Sequence, residues 1–386
     1  MPVPLPTPET VNLERPTAAE AQTLADGIAS AVAGSEGLLP VQQSLILALF
    51  PAMTEHSVTL VNRPILSPAQ FAASLERRNL GFRSRMVQNM LLCALVRHPI
   101  PDDVAENVTT FACELGVEEG MVPVAREFAA GSLGLAAHDF VRNGYEGTWN
   151  EEESAAAVHS SRVLHEAWEF SVDDPELAER WASLEQLPLA SIGRKVWEMY
   201  EARGFIYPGA PGSAPPLLCQ HDWVHVLGDY GTTVESEVEV FGLIARANDD
   251  LHAFSLLAMV ISLFETGYLA RGAGLFESST GHFSSSPNMA IRLADALRRG
   301  ALCHDEQSGS DSIDFLKMDW FAVADVPCSD LRQRFHLTPK SPEALAAGSV
   351  GPWEEGGISP FQVRSGHTLS EQRGRPYHAH GARVRA

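Results

Sequence analysis

The sequence predicts an all-α protein, a helical bundle of two helical domains with a metal site in the second. Three observations predict it. Apolar residues recur at three- and four-residue spacing through most of the chain, alternation of period two is nearly absent, and cap residues fall where the periodic runs start and stop. Residues 1–17 hold five prolines and read as loose. From residue 18 the helical text begins with "AAEAQTLADGIASAVAG", followed by "LLPVQQSLILALFPAM". "SPAQFAASLERRN" opens on Ser67 and Pro68, an N-cap and a first-turn residue. "RSRMVQNMLLCALVRHP" comes next, and then "PDDVAENVTTFACELG", which starts at acidic residues and stops at Gly116. "EEGMVPVAREFAAG" and "GLAAHDFVRNGY" complete a first domain over 18–150.

The acidic, small-residue stretch 147–174 reads as the junction to a second domain over 172–338. Its helices are expected near 176–186, 189–203, 217–228, 233–247, 250–268 and 287–303. "GFIYPGAPGSAPP" between the second and third of these is a Gly/Pro loop, a turn or a lid. Residues 340–386 lack periodicity and read as a flexible tail.

Composition narrows the function. With 386 residues and 45% hydrophobic content the chain can bury one large core or two ordinary ones. Its 49 acidic and 28 basic residues give a formal net charge of −21. A nucleic-acid partner needs a basic face, so that class is disfavoured, as is electrostatic adhesion to anionic lipid. The five cysteines form no CxxC pair, which argues against a thiolate zinc knuckle or a disulfide framework and suits a reducing cytoplasm. The Pro-rich, acidic start is unlike a secretory signal. The most apolar run, 253–264, is twelve residues long and too short to span a bilayer.

Chemistry concentrates in "QHDWVHVLGDYGTTVESEVEV", residues 220–240. His221 and His225 stand four apart, so on a helix they share a face and can grip one ion. Asp222 lies at the edge of that face and is short enough to ligate directly. Gly228 ends the helix, and Thr232 offers an N-cap to the next, with Glu235 at the capping-box position. An antiparallel return would carry Glu237 back over the histidines, while Glu239 is expected in solvent. The alternative is an exposed, charged helix end, since fourteen histidines produce HxxxH pairs by chance. A His/Asp/His/Glu shell suits Zn²⁺ first, with Fe²⁺ or Mn²⁺ as alternatives.

His221, Asp222, His225, eleven residues and then Glu237 is HDxxH-x11-E, which resembles the metal motif of the Coq-four family of coenzyme Q (ubiquinone) biosynthesis proteins. "LEQLPLASIGRKVWEMYEARGF" (184–205), "AIRLADALRRGALCHD" (290–305) and "MDWFAVADVPCSDLRQRFHL" (318–337) are similar to that family's flanking segments in the same order. The N-terminal region, similar in outline to a tellurite-resistance TerB-type helical domain, is an addition to the family pattern, as are the loop before the motif and "GLFESSTGHFSSSPN" (274–288). The resemblance implies a metal-dependent decarboxylase or oxidoreductase-type lyase acting on a prenylated aromatic substrate. The competing expectation is a non-catalytic scaffold that holds a hydrophobic intermediate for a biosynthetic enzyme complex. Arg194 is a candidate to face a substrate carboxylate or phosphate. Phe254, with the apolar residues around it, is a candidate wall for an isoprenoid tail or else plain core. The expected location is the cytoplasm, with peripheral attachment to the inner membrane face and self-association as further expectations.

Overall fold

The computed structural model describes residues 16–97, 100–117, 139, 142, 173–248, 251–266, 283–286, 288–310 and 312–379. Among them the chain forms fourteen α-helices, two short 3-10 turns and no strand, only isolated bridges. The all-α expectation is met. The expected helical stretch 118–131, nearly all of the junction 147–174 and most of the insertion 274–288 lie outside the described residues.

The first five helices are α1 (Ala18–Val32), α2 (Pro40–Thr54), α3 (Pro68–Ser74), α4 (Leu80–Leu95) and α5 (Asp102–Glu114). Their boundaries follow local chemistry. Ser67 accepts from the Gln70 amide at the start of α3, with Pro68 in the first turn, as the sequence predicts. Asn79 caps α4 in the same way through the Phe82 amide.

Nine more helices follow: α6 (Pro175–Ser183), α7 (Ile192–Arg203), α8 (Gln220–Gly228), α9 (Val234–Ala247), α10 (Leu251–Thr266), α11 (Met289–Leu302), α12 (Cys328–Arg334), α13 (Pro342–Ala346) and α14 (Pro360–Gln372). α9 is the centre of the packing. It lies against α10 on one side and α11 on the other, and these two in turn pack on α4 and α2. Where α9 meets α11 the helices approach backbone to backbone: a Cβ on Gly300 would sit 2.3 Å from the Leu243 carbonyl oxygen. The apolar run of α10 is therefore core, with Leu257, Met259, Ile261 and Phe264 all buried. One hydrophobic cluster runs from Ala21 in α1 to Leu337 beyond α12, so the two regions read as separate in the sequence share a core.

Residues 341–372 differ from the expected flexible tail. They form α13 and α14, and α14 packs along α7. The reason is local. Ser341 with Pro342 and Ser359 with Pro360 start two short helices, the second with a Gln362 capping box. They dock through polar bonds and glycine contacts, so they carry no apolar periodicity to read. The "IYPGAPG" segment is also tied down rather than lid-like. Tyr207 is buried and bonds Glu201 under Arg373, and the Gly209 carbonyl accepts from the Asp174 amide at 2.8 Å.

Candidate metal centre

α8 carries three of the predicted residues, and its orientation is set from both sides. Trp223 stacks on Trp320 at 5.7 Å and 7°, with Trp181 and Phe321 completing an aromatic patch. At the helix C-terminus Asp229 takes the left-handed conformation, and the Arg332 guanidinium donates to the exposed carbonyls of Val226 and Leu227 at 3.0 and 2.8 Å. The face opposite Trp223 turns His221 and His225 inward.

Both imidazoles are fully buried, and each is oriented through its Nδ1. His221 Nδ1 lies 2.5 Å from the Leu218 carbonyl, and His225 Nδ1 lies 2.6 Å from the Gly231 carbonyl. A carbonyl only accepts, so both Nδ1 atoms carry a proton, and both Nε2 atoms are directed to the interior, where each could hold an ion on giving up its own proton. Glu237 arrives from the first turn of α9, with Oε2 at 3.4 Å from His221 Nε2 and 3.1 Å from His225 Nε2. One ligand atom from each of the three lies within 4.8 Å of the others. Two donors each 2.0–2.1 Å from a tetrahedral ion stand about 3.4 Å apart, close to the 3.4 and 3.1 Å that separate Glu237 Oε2 from the two imidazole nitrogens.

Asp222 sits beside this trio, 3.6 Å from His221 Nε2, but both of its oxygens are engaged. Arg142 grips them in a fork at 2.9 and 3.0 Å, and the Tyr200 hydroxyl donates to Oδ2 at 2.5 Å. Arg142 also bonds Asp139 at 2.7 Å, and Asp139 Oδ1 lies 3.8 Å from His221 Nε2. Asp139 and Arg142 are both helical and three apart, so they present one face to the site. Sequence reading missed them. Their only signal is a carboxylate and a guanidinium spaced three apart in "HDFVRN", about 80 residues before the motif.

The electrostatics describe a site rich in buried carboxylates. Asp139, Asp222 and Glu237 bring three buried carboxylates together around the Arg142 guanidinium and the His221 imidazole. The consequences appear in the proton affinities. Burial works against the His221 imidazolium, but the Asp222, Asp139 and Glu237 carboxylates outweigh it and lift its pKa to about 9. Burial, helped by the nearby Glu237 charge, raises Asp139 to about 6 against the pull of Arg142. Burial opposes ionisation of Asp222 and Glu237 too, yet Arg142 holds the first below its usual range and His225 with His221 hold the second down. A divalent ion fits this donor set, because two imidazole nitrogens and a carboxylate oxygen converge there and His221 Nε2 is buried without a hydrogen bond.

The bend between α8 and α9 that delivers the Gly231 carbonyl is braced by residues 350–362. The Gly231 amide donates to Val350 and the Thr232 amide to Gly357, both at 2.9 Å. Thr232 Oγ1 accepts from Arg203 at 2.6 Å and donates to Gln362 Oε1 at 2.8 Å, while Gln362 Nε2 returns to the Thr232 carbonyl at 2.9 Å. Thr232 is thus a buried tie, and Thr233 is the N-cap of α9, its hydroxyl donating to Ser236 Oγ at 3.2 Å rather than capping a backbone amide. The expected Thr232–Glu235 capping box is not formed. Glu239 differs from expectation as well: it is buried and paired with Arg292 at 2.5 Å, because α9 is covered on nearly every side.

Arg194 is engaged elsewhere. It bonds Glu198 at 3.3 Å and the Glu185 carbonyl, and its guanidinium lies 4.5 Å over the Trp197 ring. Phe254 lies on α10, and its side chain is outside the described residues. The described residues contain no helix long and apolar enough to cross a membrane. No protein-family model, curated protein or solved structure matches the chain.

Proposed function

We propose that the chain holds one divalent metal ion on His221, His225 and Glu237, with Asp222 and Asp139 as adjoining carboxylates, and acts on a polar aromatic substrate bearing an isoprenoid tail. The observation that carries the metal reading is the convergence of His221 Nε2, His225 Nε2 and Glu237 Oε2 in a buried cluster, with His221 Nε2 making no hydrogen bond. Two nitrogens and one to three oxygens suit Zn²⁺, and the oxygen share also admits Fe²⁺ or Mn²⁺. The substrate class rests on the resemblance of HDxxH-x11-E and its flanks to the Coq-four family, whose implied chemistry is oxidative decarboxylation of a quinone precursor. A bound divalent ion would supply Lewis acidity toward a substrate oxygen or an activated water. The chain's own part is orientation: carbonyl-bonded Nδ1 atoms aim both imidazoles, and Arg142 with Tyr200 fixes Asp222 at the edge of the site. Attachment to the inner membrane face and work within a biosynthetic complex belong to the same proposal.

A non-catalytic reading is favoured by one observation. His221, His225 and Glu237 are each 0% exposed, and the neighbouring α10 is packed as core, which suits a structural ion in a scaffold protein. Elemental analysis of the purified chain beside a His221→Ala, His225→Ala double variant tests the metal: equal metal in both would overturn the centre. Glu237→Gln then separates the readings. A variant that keeps fold and metal but loses turnover of a prenylated hydroxybenzoate supports the enzyme, and one with full function supports the scaffold. Native mass spectrometry of gently extracted protein tests the substrate class through a co-purifying prenylated species.

A further inference from the structure

We propose that His304, Glu306 and His336 form a second divalent-metal site, on the surface and independent of the buried centre. Single side-chain donors from the three lie within 4.8 Å of one another. The His304 and His336 rings stack at 3.7 Å and 18°, and His336 Nε2 is 2.6 Å from Glu306 Oε1.

The backbone around them is built to hold this arrangement. The segment after α11 runs beside the end of α12, joined by the His304 amide to the Phe335 carbonyl at 3.3 Å and the Glu306 amide to the Arg334 carbonyl at 3.5 Å. Between His304 and Glu306, Asp305 is clamped by the Arg334 guanidinium in a fork at 2.8 and 2.9 Å. Asp305 is thereby neutralised by its own partner, which leaves Glu306 to the two histidines. His304 Nδ1 lies 3.0 Å from the Leu302 carbonyl, so it carries the proton and Nε2 is the donor atom offered outward. His336 adopts φ +51, a left-handed conformation uncommon outside glycine, and from this turn its ring lies against that of His304.

Two nitrogens and one carboxylate favour a borderline ion such as Zn²⁺ over Ca²⁺ or Mg²⁺, which demand more oxygen. Parallel rings direct their lone pairs side by side, so capture of an ion requires the stack to open. That motion is available, because the Glu306 and His336 side chains are 61% and 38% exposed. The remaining coordination positions face water.

The test is zinc uptake by the full chain, carried out in a His378→Ala, His380→Ala background to silence the C-terminal histidines. Equilibrium dialysis of metal-stripped protein is expected to give two zinc equivalents. His304→Ala, His336→Ala should lose one and keep the other, and Glu306→Gln should weaken the same one by about tenfold or more. His221→Ala, His225→Ala should lose only the buried equivalent, so the two sites fail or stand separately. Histidine NMR of the parent background offers a readout that needs no second-site variant to fold. Zinc-dependent shifts of the His304 and His336 ring signals support the site. Unshifted signals, or uptake unchanged by His304→Ala, His336→Ala, would overturn it and leave a stacked histidine pair with a carboxylate.

Discussion

Asp222 was readable as a site residue from its place between two histidines, but its partners were not. Arg142 and Tyr200 take up both of its oxygens, and Asp139 comes with Arg142 to the edge of His221. A motif on one helix is a local pattern, whereas a carboxylate about 80 residues upstream joins it only through tertiary packing. Asp139→Asn removes one buried negative charge without changing shape, and zinc affinity should fall about 10- to 100-fold in a competition titration. Metal-stripped protein should show a pH signature from His221, whose folded pKa is raised from 6.5 to about 9. The folded state binds that proton more tightly than the unfolded chain, so the stabilisation is full below pH 6.5 and is lost as pH rises through about 9. Its scale is about 3 kcal/mol. Thermal melts of the stripped chain should therefore fall across that window, and zinc-loaded melts should not, because the ion replaces the proton. A flat profile for the stripped chain would contradict the assignment.

At the scale of elements, the helices with apolar periodicity were legible, and those held by polar ties were not. α9 and α11 could be drawn from spacing alone. α14 could not, since it docks through Gln362, buried in a network with Thr232 and Arg203 rather than in a greasy face. Glu239 was misplaced for a related reason: position on a helix wheel says nothing of a second helix covering the supposed outer side, where Arg292 waits. Gln362→Leu should leave the Thr232 carbonyl and hydroxyl short of partners and cost about 1–3 kcal/mol in denaturant unfolding. It should also loosen the Gly231 carbonyl that aims His225, so the same variant should bind zinc more weakly than wild type. Unaltered zinc affinity in a destabilised variant would detach the brace from the centre. Gly300→Val places a side chain against the Leu243 carbonyl, where backbone must yield, and should cost about 1–3 kcal/mol or more in the same measurement.

For the whole molecule, one core joins the N-terminal helices to those that carry or pack on the candidate metal centre: α2 packs on α11 and α4 on α10. The sequence reads as two units because the stretch between them is acidic and aperiodic, and a linker's composition does not report what its flanks bury. Calorimetry should give a single cooperative transition, and chelation should shift the whole of it downward rather than split off one half. Two resolved transitions would restore the two-unit view. The brace on the α8–α9 bend also sets an order of events during synthesis. Asp139 and Arg142 leave the ribosome early and the two histidines follow, yet the bend that aims His225 is tied only when Gly357 and Gln362 have emerged. A nascent chain stalled before α14 would hold every ligand and still lack a finished cage. On the proposed metal reading, an ion would be held in the finished cage only after Gln362 has emerged.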